Sequence, residues 1–161
     1  SPSNDLPKTV NKQNMVEVNM FLPEFDGFGI NQNIPTVGSY NDNQITVLWT
    51  KAKSGKHLDA NYRLNNALKY GISKRDQSLD IHKLTGYRNS GDGEMTYKGI
   101  NQYEDDVLIH CSDGPINKTC KLEFFDSNTE RGIHASFDKK YLIQWSLIAS
   151  KIIVLINRWK I

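Results

Sequence analysis

The sequence predicts an α+β domain in which an antiparallel β-sheet is packed on one face by a long C-terminal helix and a shorter helix. Three observations support this fold class. Apolar and polar residues alternate in several short segments, turn residues separate these segments, and an apolar stripe with helical spacing lies at the C-terminus. The 161 residues suit one domain, which we expect to span 15–161 after a flexible lead-in over 1–14.

Seven segments have the pattern of strands. In the first of them, the apolar residues Val16, Val18 and Met20 occupy every second position, and Pro23 ends the segment. The predicted strands are 16–21, 45–50, 84–88, 94–100, 106–111, 120–125 and 132–137. Turn residues at 89–93 and 112–115 predict two hairpins. We expect 25–40 to be a loop and 73–80 to be a polar connection.

Two segments have helical patterns. The first covers Leu58–Tyr70, and Gly71 follows it as a residue that can end a helix with a positive φ. The second starts near Asp138, which can cap the free N–H groups of a helix. Its apolar stripe consists of Tyr141, Trp145, Ile148, Ile152, Leu155, Ile156 and Trp159. Because isoleucine is a mediocre helix former, this helix needs a sheet to pack against.

Charge and hydropathy exclude several classes of function. The 20 Lys and Arg residues nearly balance 18 Asp and Glu residues, so no overall field attracts nucleic acid. The longest apolar run, Ile152–Ile156, is too short for a transmembrane segment. The chain starts at Ser1 without an apolar leader, which fits a secretory signal or lipoprotein anchor that precedes it, or an artificial extension.

Cys111 and Cys120 are the two cysteines of the chain. A redox pair, half of a metal site and a structural disulfide all use two cysteines. Their position at facing ends of a predicted hairpin favours the disulfide, because the turn between them brings the two strands together. A persistent disulfide indicates an oxidising compartment, such as the periplasm.

Motifs for catalysis or metal binding are absent from the sequence. His57, His82, His110 and His134 do not occur in CxxC, HxxxH or HExxH spacings. His110, Cys111, Asp113 and His134 could imitate a zinc set, but none of these spacings supports it. A nucleophile pair of Cys111 and His110 is disfavoured, because Cys111 is expected to be oxidised and adjacent strand residues point to opposite faces. The chain also has no GxSxG motif and no P-loop. We therefore expect no catalytic residues, no metal and no cofactor.

The stretch from Gly86 to Asp106 has a net charge of −3 and three tyrosines. Exposed tyrosines among acidic residues are typical of protein-binding surfaces, although solvated loops can have the same composition. The partner-binding candidates are Tyr87, Asp92, Glu94, Tyr97, Tyr103, Glu104, Asp105 and Asp106. The preceding stretch, Lys51–Arg75, has a net charge of +6, which fits solubilising lysines or an acidic partner.

Several segments together resemble a known family. They are Val18–Phe28 with its Leu-Pro and glycine, Leu108–Cys111, Cys120, Ile133–Phe137, Tyr141–Ile148 and Leu155–Trp159. This order is similar to that of small periplasmic immunity proteins, the partners of type VI secretion effectors in Gram-negative bacteria. The resemblance implies a periplasmic protein, not an enzyme, that binds a cognate effector toxin and neutralises it by occluding its active site.

Two other classes of function remain open from the sequence. One is a cell-envelope accessory protein or lipoprotein module without catalytic activity. The other is a small secreted hydrolase, which would need a deep pocket with clustered carboxylates or histidines. The sequence does not predict an oligomeric state.

Overall fold

The structure is a computed structural model, and it describes residues 9–10, 15–22, 25, 43–51, 59–116 and 118–159. Within these residues, nine strands form one antiparallel sheet. They are β1 (Thr9–Val10), β2 (Met15–Phe21), β3 (Gln44–Lys51), β4 (Ser73–Arg75), β5 (Thr85–Asn89), β6 (Met95–Ile100), β7 (Asp106–Cys111), β8 (Thr119–Asp126) and β9 (Arg131–Asp138). Their order across the sheet is β1-β2-β3-β9-β8-β7-β6-β5-β4. The α-helices are α1 (Ala60–Lys69) and α2 (Trp145–Trp159).

The predicted α+β fold class is confirmed, and each of the seven predicted strands is present with bounds that differ by at most one residue. Two short strands were not predicted. β1 lies in the expected lead-in, and β4 lies in the expected connection. Apart from Phe25, which is buried, the predicted loop over 25–40 lies outside the described residues.

One face of the sheet packs against α2 and forms the main core. Strand alternation directs Val107 and Ile109 to this face, where they join Ile148 and Ile152 of the helix. Aligned residues from neighbouring strands extend the core in rows, one of which contains Tyr97, Ile109, Leu122, Ala135 and Val47. The predicted apolar stripe is therefore buried from Trp145 to Ile156, Tyr141 is partly buried, and the side chain of Trp159 is outside the described residues.

The C-terminal helix starts later than predicted. Asp138 is still the last residue of β9, where it pairs with Thr119. Its carboxylate accepts a hydrogen bond from the backbone N–H of Lys140 at 2.9 Å, so it does act as a cap. The residues that follow, Lys139–Gln144, form a tighter 3₁₀-helix before the α-helix begins at Trp145.

The shorter helix lies on the opposite face of the sheet from α2, so the prediction that both helices cover one face is wrong for α1. Ala60 and Leu64 pack against Leu108, whose side chain points away from the α2 core because its two neighbours point into it. The helix boundaries agree with the sequence. Asp59 caps α1 by accepting from the N–H of Tyr62 at 3.0 Å, and Gly71 has a φ of 70°.

Candidate functional site

Glu123 lies at the centre of the sheet face opposite α2, which we call the open face. Its carboxylate accepts a hydrogen bond from the guanidinium of Arg63 on α1, and its Oε1 lies 3.5 Å from Nδ1 of His134. Burial alone would raise the pKa of Glu123, but the hydrogen bonds from His134 and Arg63 outweigh it and lower the pKa to about 2. This carboxylate is therefore charged at neutral pH, and it attaches α1 to the sheet.

A second polar network lies on the open face between β4 and β7. Ser73 Oγ and Thr96 Oγ1 both donate to Asn89 Oδ1, at 2.8 and 3.1 Å. The Thr96 oxygen also lies 3.1 Å from Nδ1 of His110, and burial lowers the pKa of His110. Thr96 is 3% exposed and its hydroxyl contacts both Asn89 and the imidazole, so it is not presented to solvent as a nucleophile would be.

The predicted disulfide between Cys111 and Cys120 is confirmed. The two residues are directly opposite each other in β7 and β8, with a Cα–Cα distance of 4.1 Å. The bond lies in the α2 core in a row with Met95 and Phe137. In the parts of the chain that the structure describes, no group of three or more His, Cys, Asp or Glu side chains is placed to hold a metal ion.

The predicted binding residues lie at two opposite ends of the sheet. We call the end with connections 80–84, 101–105 and 127–130 the turn end, and the end with Cys111–Cys120 and connection 90–94 the disulfide end. Asp92 and Glu94 belong to the disulfide end. Tyr103, Glu104, Asp105 and Asp106 belong to the turn end. The six residues of β6 separate the two groups by about 20 Å, so the two groups are not adjacent.

Tyr97 is a core residue and not part of an exposed rim. Its side chain is 3% exposed, and its hydroxyl donates to the sulfur of Met95 at 3.4 Å. Burial raises the pKa of Tyr97. The reason is the period of the strand, since Met95 and Tyr97 share the face that packs on α2. Tyr87 is half-buried against α1, with the guanidinium of Arg75 5.7 Å from its ring centre.

Asn101 organises the connection between β6 and β7. Its buried Oδ1 accepts from the N–H groups of Tyr103 at 2.9 Å and of Asp105 at 3.0 Å. Glu104, between them, has a φ of 66° and is exposed. The side chain of Tyr103 is 41% exposed. The turn thus holds an aromatic ring and a carboxylate in a defined position in solvent.

The next two carboxylates of this turn have partners within the protein. Asp105 accepts from Ser127 Oγ at 3.2 Å; burial raises the pKa of Asp105, and hydrogen bonds from Ser127 and Asn101 oppose the rise. Asp106 accepts from Asn61 Nδ2 at 2.7 Å and lies 3.3 Å from the ammonium of Lys98. Of the three adjacent acidic residues, Glu104 is therefore the one most available to a partner.

The connection before β5 is a feature of the turn end that the sequence did not predict. Asp80 accepts two hydrogen bonds from Arg75, at 2.7 and 2.6 Å, and a third from the N–H of Gly86 at 2.7 Å. Gly86 has to be glycine, because a Cβ there would lie 2.4 Å from Leu79. These contacts fix a compact loop against the edge of the sheet.

The tip of this loop is a tight turn formed by His82 and Lys83. Both have positive φ values, 51° and 63°, and Ile81 pairs with Leu84 on either side of them. The indole N–H of Trp145 donates to the carbonyl of His82 at 2.9 Å. Two consecutive left-handed residues are characteristic of a type I′ turn, which favours Asn-Gly. Because the sequence has His-Lys here, it contains no signal from which the turn could be predicted.

A shallow depression of about 510 Å³ lies near the disulfide end. It is lined by Ser112, Asp113, Gly114, Lys118, Asp138, Lys139 and Lys140. One of its two carboxylates, Asp138, already caps the helix, and its lining contains neither histidine nor cysteine. The depression therefore does not have the composition of an acid–base or nucleophilic active site.

The fold is similar to that of a solved immunity protein from the type IV secretion system of Stenotrophomonas maltophilia. The match covers 98% of this chain and 87% of that protein, with a TM-score of 0.64 and 11% sequence identity. At this identity the likeness establishes a shared fold. Neither protein-family models nor curated protein sequences give a match.

None of the described helices is both long enough and apolar enough to cross a bilayer.

Proposed function

We propose that this protein is an immunity protein of the periplasm that binds a toxic secreted effector and neutralises it by occluding its active site. The observation that carries the proposal is the likeness to a secretion-system immunity protein across 98% of the chain. The disulfide between Cys111 and Cys120 supports an oxidising compartment.

The proposed mechanism is stoichiometric binding without turnover. Thr96 and His110, the hydroxyl–imidazole contact described above, are arranged to join strands and not to attack a substrate. The carboxylate of Glu123 is held by Arg63 and His134, which leaves it without the raised pKa of a general acid. These features support a protein that acts by covering another protein's catalytic cleft.

The secretion route of the effector is the finer part of the proposal. The sequence resemblance is to partners of type VI effectors, and on that basis we propose a type VI effector. The structural neighbour belongs to a type IV system. The route is tested separately from the function, by competition of cells that lack this protein against donor strains that lack one apparatus or the other.

The experiment that tests the proposed function is co-expression with the products of neighbouring genes. Each product is directed to the periplasm of a host cell, with and without this chain in the same compartment. We expect one of them to stop growth and this chain to restore it, whereas the chain confined to the cytoplasm should not. A neighbouring toxin that is equally lethal with and without the periplasmic chain contradicts the proposal.

We further propose that the acidic turn Tyr103–Asp106 contacts basic residues around the effector's cleft. Glu104 is exposed, and the ring of Tyr103 beside it supplies apolar contact area. Asp92 and Glu94 are at the other end of the sheet and take no part in this contact.

Charge reversal of Glu104 tests this surface. We expect Glu104→Lys to slow association with the effector about three- to tenfold at low salt, and less at high salt, because rim charges act mainly on the rate of encounter. The matched control is Asp92→Lys, an equal charge change at an exposed turn of the disulfide end. Asp106 is left intact, because a lysine there would lie beside Lys98. Equal association rates for the two variants would contradict the assignment.

A further inference from the structure

Unfavourable backbone conformations are concentrated at the turn end. Among the described residues, five that are not glycine have a positive φ. Four of these belong to the three connections of the turn end: His82, Lys83, Glu104 and Glu130, with φ values of 51°, 63°, 66° and 53°. Lysine and glutamate adopt this conformation at a cost that glycine would reduce, whereas histidine, like asparagine, is enriched in it. Such strain persists only where the surrounding structure imposes it, and strained residues cluster at ligand clamps and other functional sites.

The strained tip at His82 and Lys83 is held rigidly. The Arg75–Asp80 pair fixes the start of the loop, and the indole of Trp145 fixes the carbonyl of His82 itself. Trp145 is the first residue of α2 and is buried in the main core. The tip is therefore attached to a residue of the main core, which reduces the ordering that binding would require of the loop.

Apolar side chains are exposed at the same end of the sheet. Ile81 is 44% exposed, Ile100 is 59% exposed, and Tyr103 is 41% exposed. The connections 101–105 and 127–130 are joined directly by the hydrogen bond from Ser127 to Asp105. From β5 to β9 the turn end spans four strand spacings, about 19 Å, which is a suitable width for the centre of a protein interface.

We infer that the three connections form one effector-binding surface, and that the tip Ile81–Lys83 enters the effector's cleft. This inference rests on the proposed function. The charges define the partner: Lys83 at the tip faces an acidic group inside the cleft, while Glu104 and Glu130 face basic residues at its rim. Ile81, Ile100 and Tyr103 supply the apolar contact between them.

The main test replaces the tip by the residues that its backbone prefers. The variant His82→Asn with Lys83→Gly has the Asn-Gly pair of a type I′ turn. We expect its melting temperature to rise by about 3 °C because the strain is relieved, while its affinity for the effector falls at least about tenfold. A variant that is more stable and binds as tightly as the wild type overturns the inference, and so does one whose stability does not rise.

A second pair of variants distinguishes a specific effect of the tip on binding from the general effect of removing an exposed apolar side chain. Ile81→Ser removes an exposed isoleucine from the turn end, and Ile116→Ser removes one that is 95% exposed at the disulfide end. We expect Ile81→Ser to weaken binding and Ile116→Ser to leave it unchanged. The opposite order overturns the inference.

The probe in both tests is the toxin that the wild-type chain neutralises in the co-expression experiment. If no neighbouring product is neutralised, the proposed function fails before the surface is tested. If the wild type neutralises the toxin but turn-end variants bind it normally, only the inference about the surface fails. The two failures are therefore distinguishable.

Discussion

The two faces of the sheet are held by different interactions. The face that packs on α2 is apolar, and residues such as Leu122 and Ile152 are completely removed from solvent there. The open face is polar, and its contacts with α1 depend on the ion pair of Arg63 and Glu123 as well as on Leu64 and Leu108. Non-directional packing therefore maintains one face, and specific hydrogen bonds with a defined protonation state maintain the other.

We therefore expect the contributions of the two faces to stability to be lost under different conditions. Removing apolar side-chain atoms from the α2 face should lower the unfolding free energy at every pH, because apolar burial does not depend on protonation. Removing a charged group from the open face should lower the unfolding free energy only at pH values at which that group is ionised. Three variants, in order of decreasing effect, test this distinction.

The largest effect is expected from Ile152→Ala on the α2 face. Ile152 is fully buried, and truncation of a buried isoleucine to alanine costs about 2–5 kcal/mol of unfolding free energy. Denaturant unfolding measures this cost, with the exposed neighbour Lys151→Ala as the control within the same helix. A loss below about 0.5 kcal/mol for Ile152→Ala would show that the α2 face is not the core.

The next effect concerns the disulfide, which belongs to the α2 face. Replacing Cys111 and Cys120 by alanine should lower the unfolding free energy by about 2.7 kcal/mol, the chain-entropy value for a loop of about 10 residues. Mass measured with and without reductant provides the direct check, since reduction adds about two daltons per disulfide. Two free thiols in protein from an oxidising compartment would contradict the assignment and weaken the argument for a periplasmic location.

The smallest effect is expected from Glu123→Gln on the open face. Folding lowers the pKa of Glu123 from 4.5 to about 2, so the carboxylate stabilises the protein above pH 4.5 and loses this effect as the pH falls towards 2. Because Arg63 is one-third exposed, we expect a loss of about 1–2 kcal/mol at pH 7. The difference from wild type should vanish near pH 2 in unfolding experiments across this range. A difference that stays constant with pH would show that the ion pair does not hold the open face.

The sequence predicted the α2 face better than the open face. Alternation of apolar residues identifies strands such as β7 and β8, and helical periodicity identifies α2, because both signals repeat over many residues. The position of α1 has no such signal. Arg63 contacts Glu123, 60 residues away in the sequence, and Asp59 caps the helix, so neither contact follows from a repeating local pattern.

The exposure of the candidate binding residues was predicted for some of them and not for others. The acidic, tyrosine-bearing composition of the stretch Gly86–Asp106 led to the expectation of exposure, which holds for Tyr103 and Glu104. Tyr97 was placed with them because composition does not distinguish the two faces of a strand, although the alternation of Met95 and Tyr97 carries that information. The tip at His82 and Lys83 could not be predicted, since its conformation is imposed by Asp80, Gly86 and Trp145 and not by its own residues.

An open sheet, unlike a closed barrel, has an outer strand at which another chain can be added by backbone pairing. In this protein β4 is one of those outer strands, and it contains only Ser73, Lys74 and Arg75. Three residues offer few free backbone groups, and two cationic side chains oppose stacking of identical copies. At this edge, pairing between identical copies is therefore disfavoured even at high concentration, and a partner has little to gain by adding a strand there. A partner that approached the β4 edge would have to be recognised through side chains and turn tips.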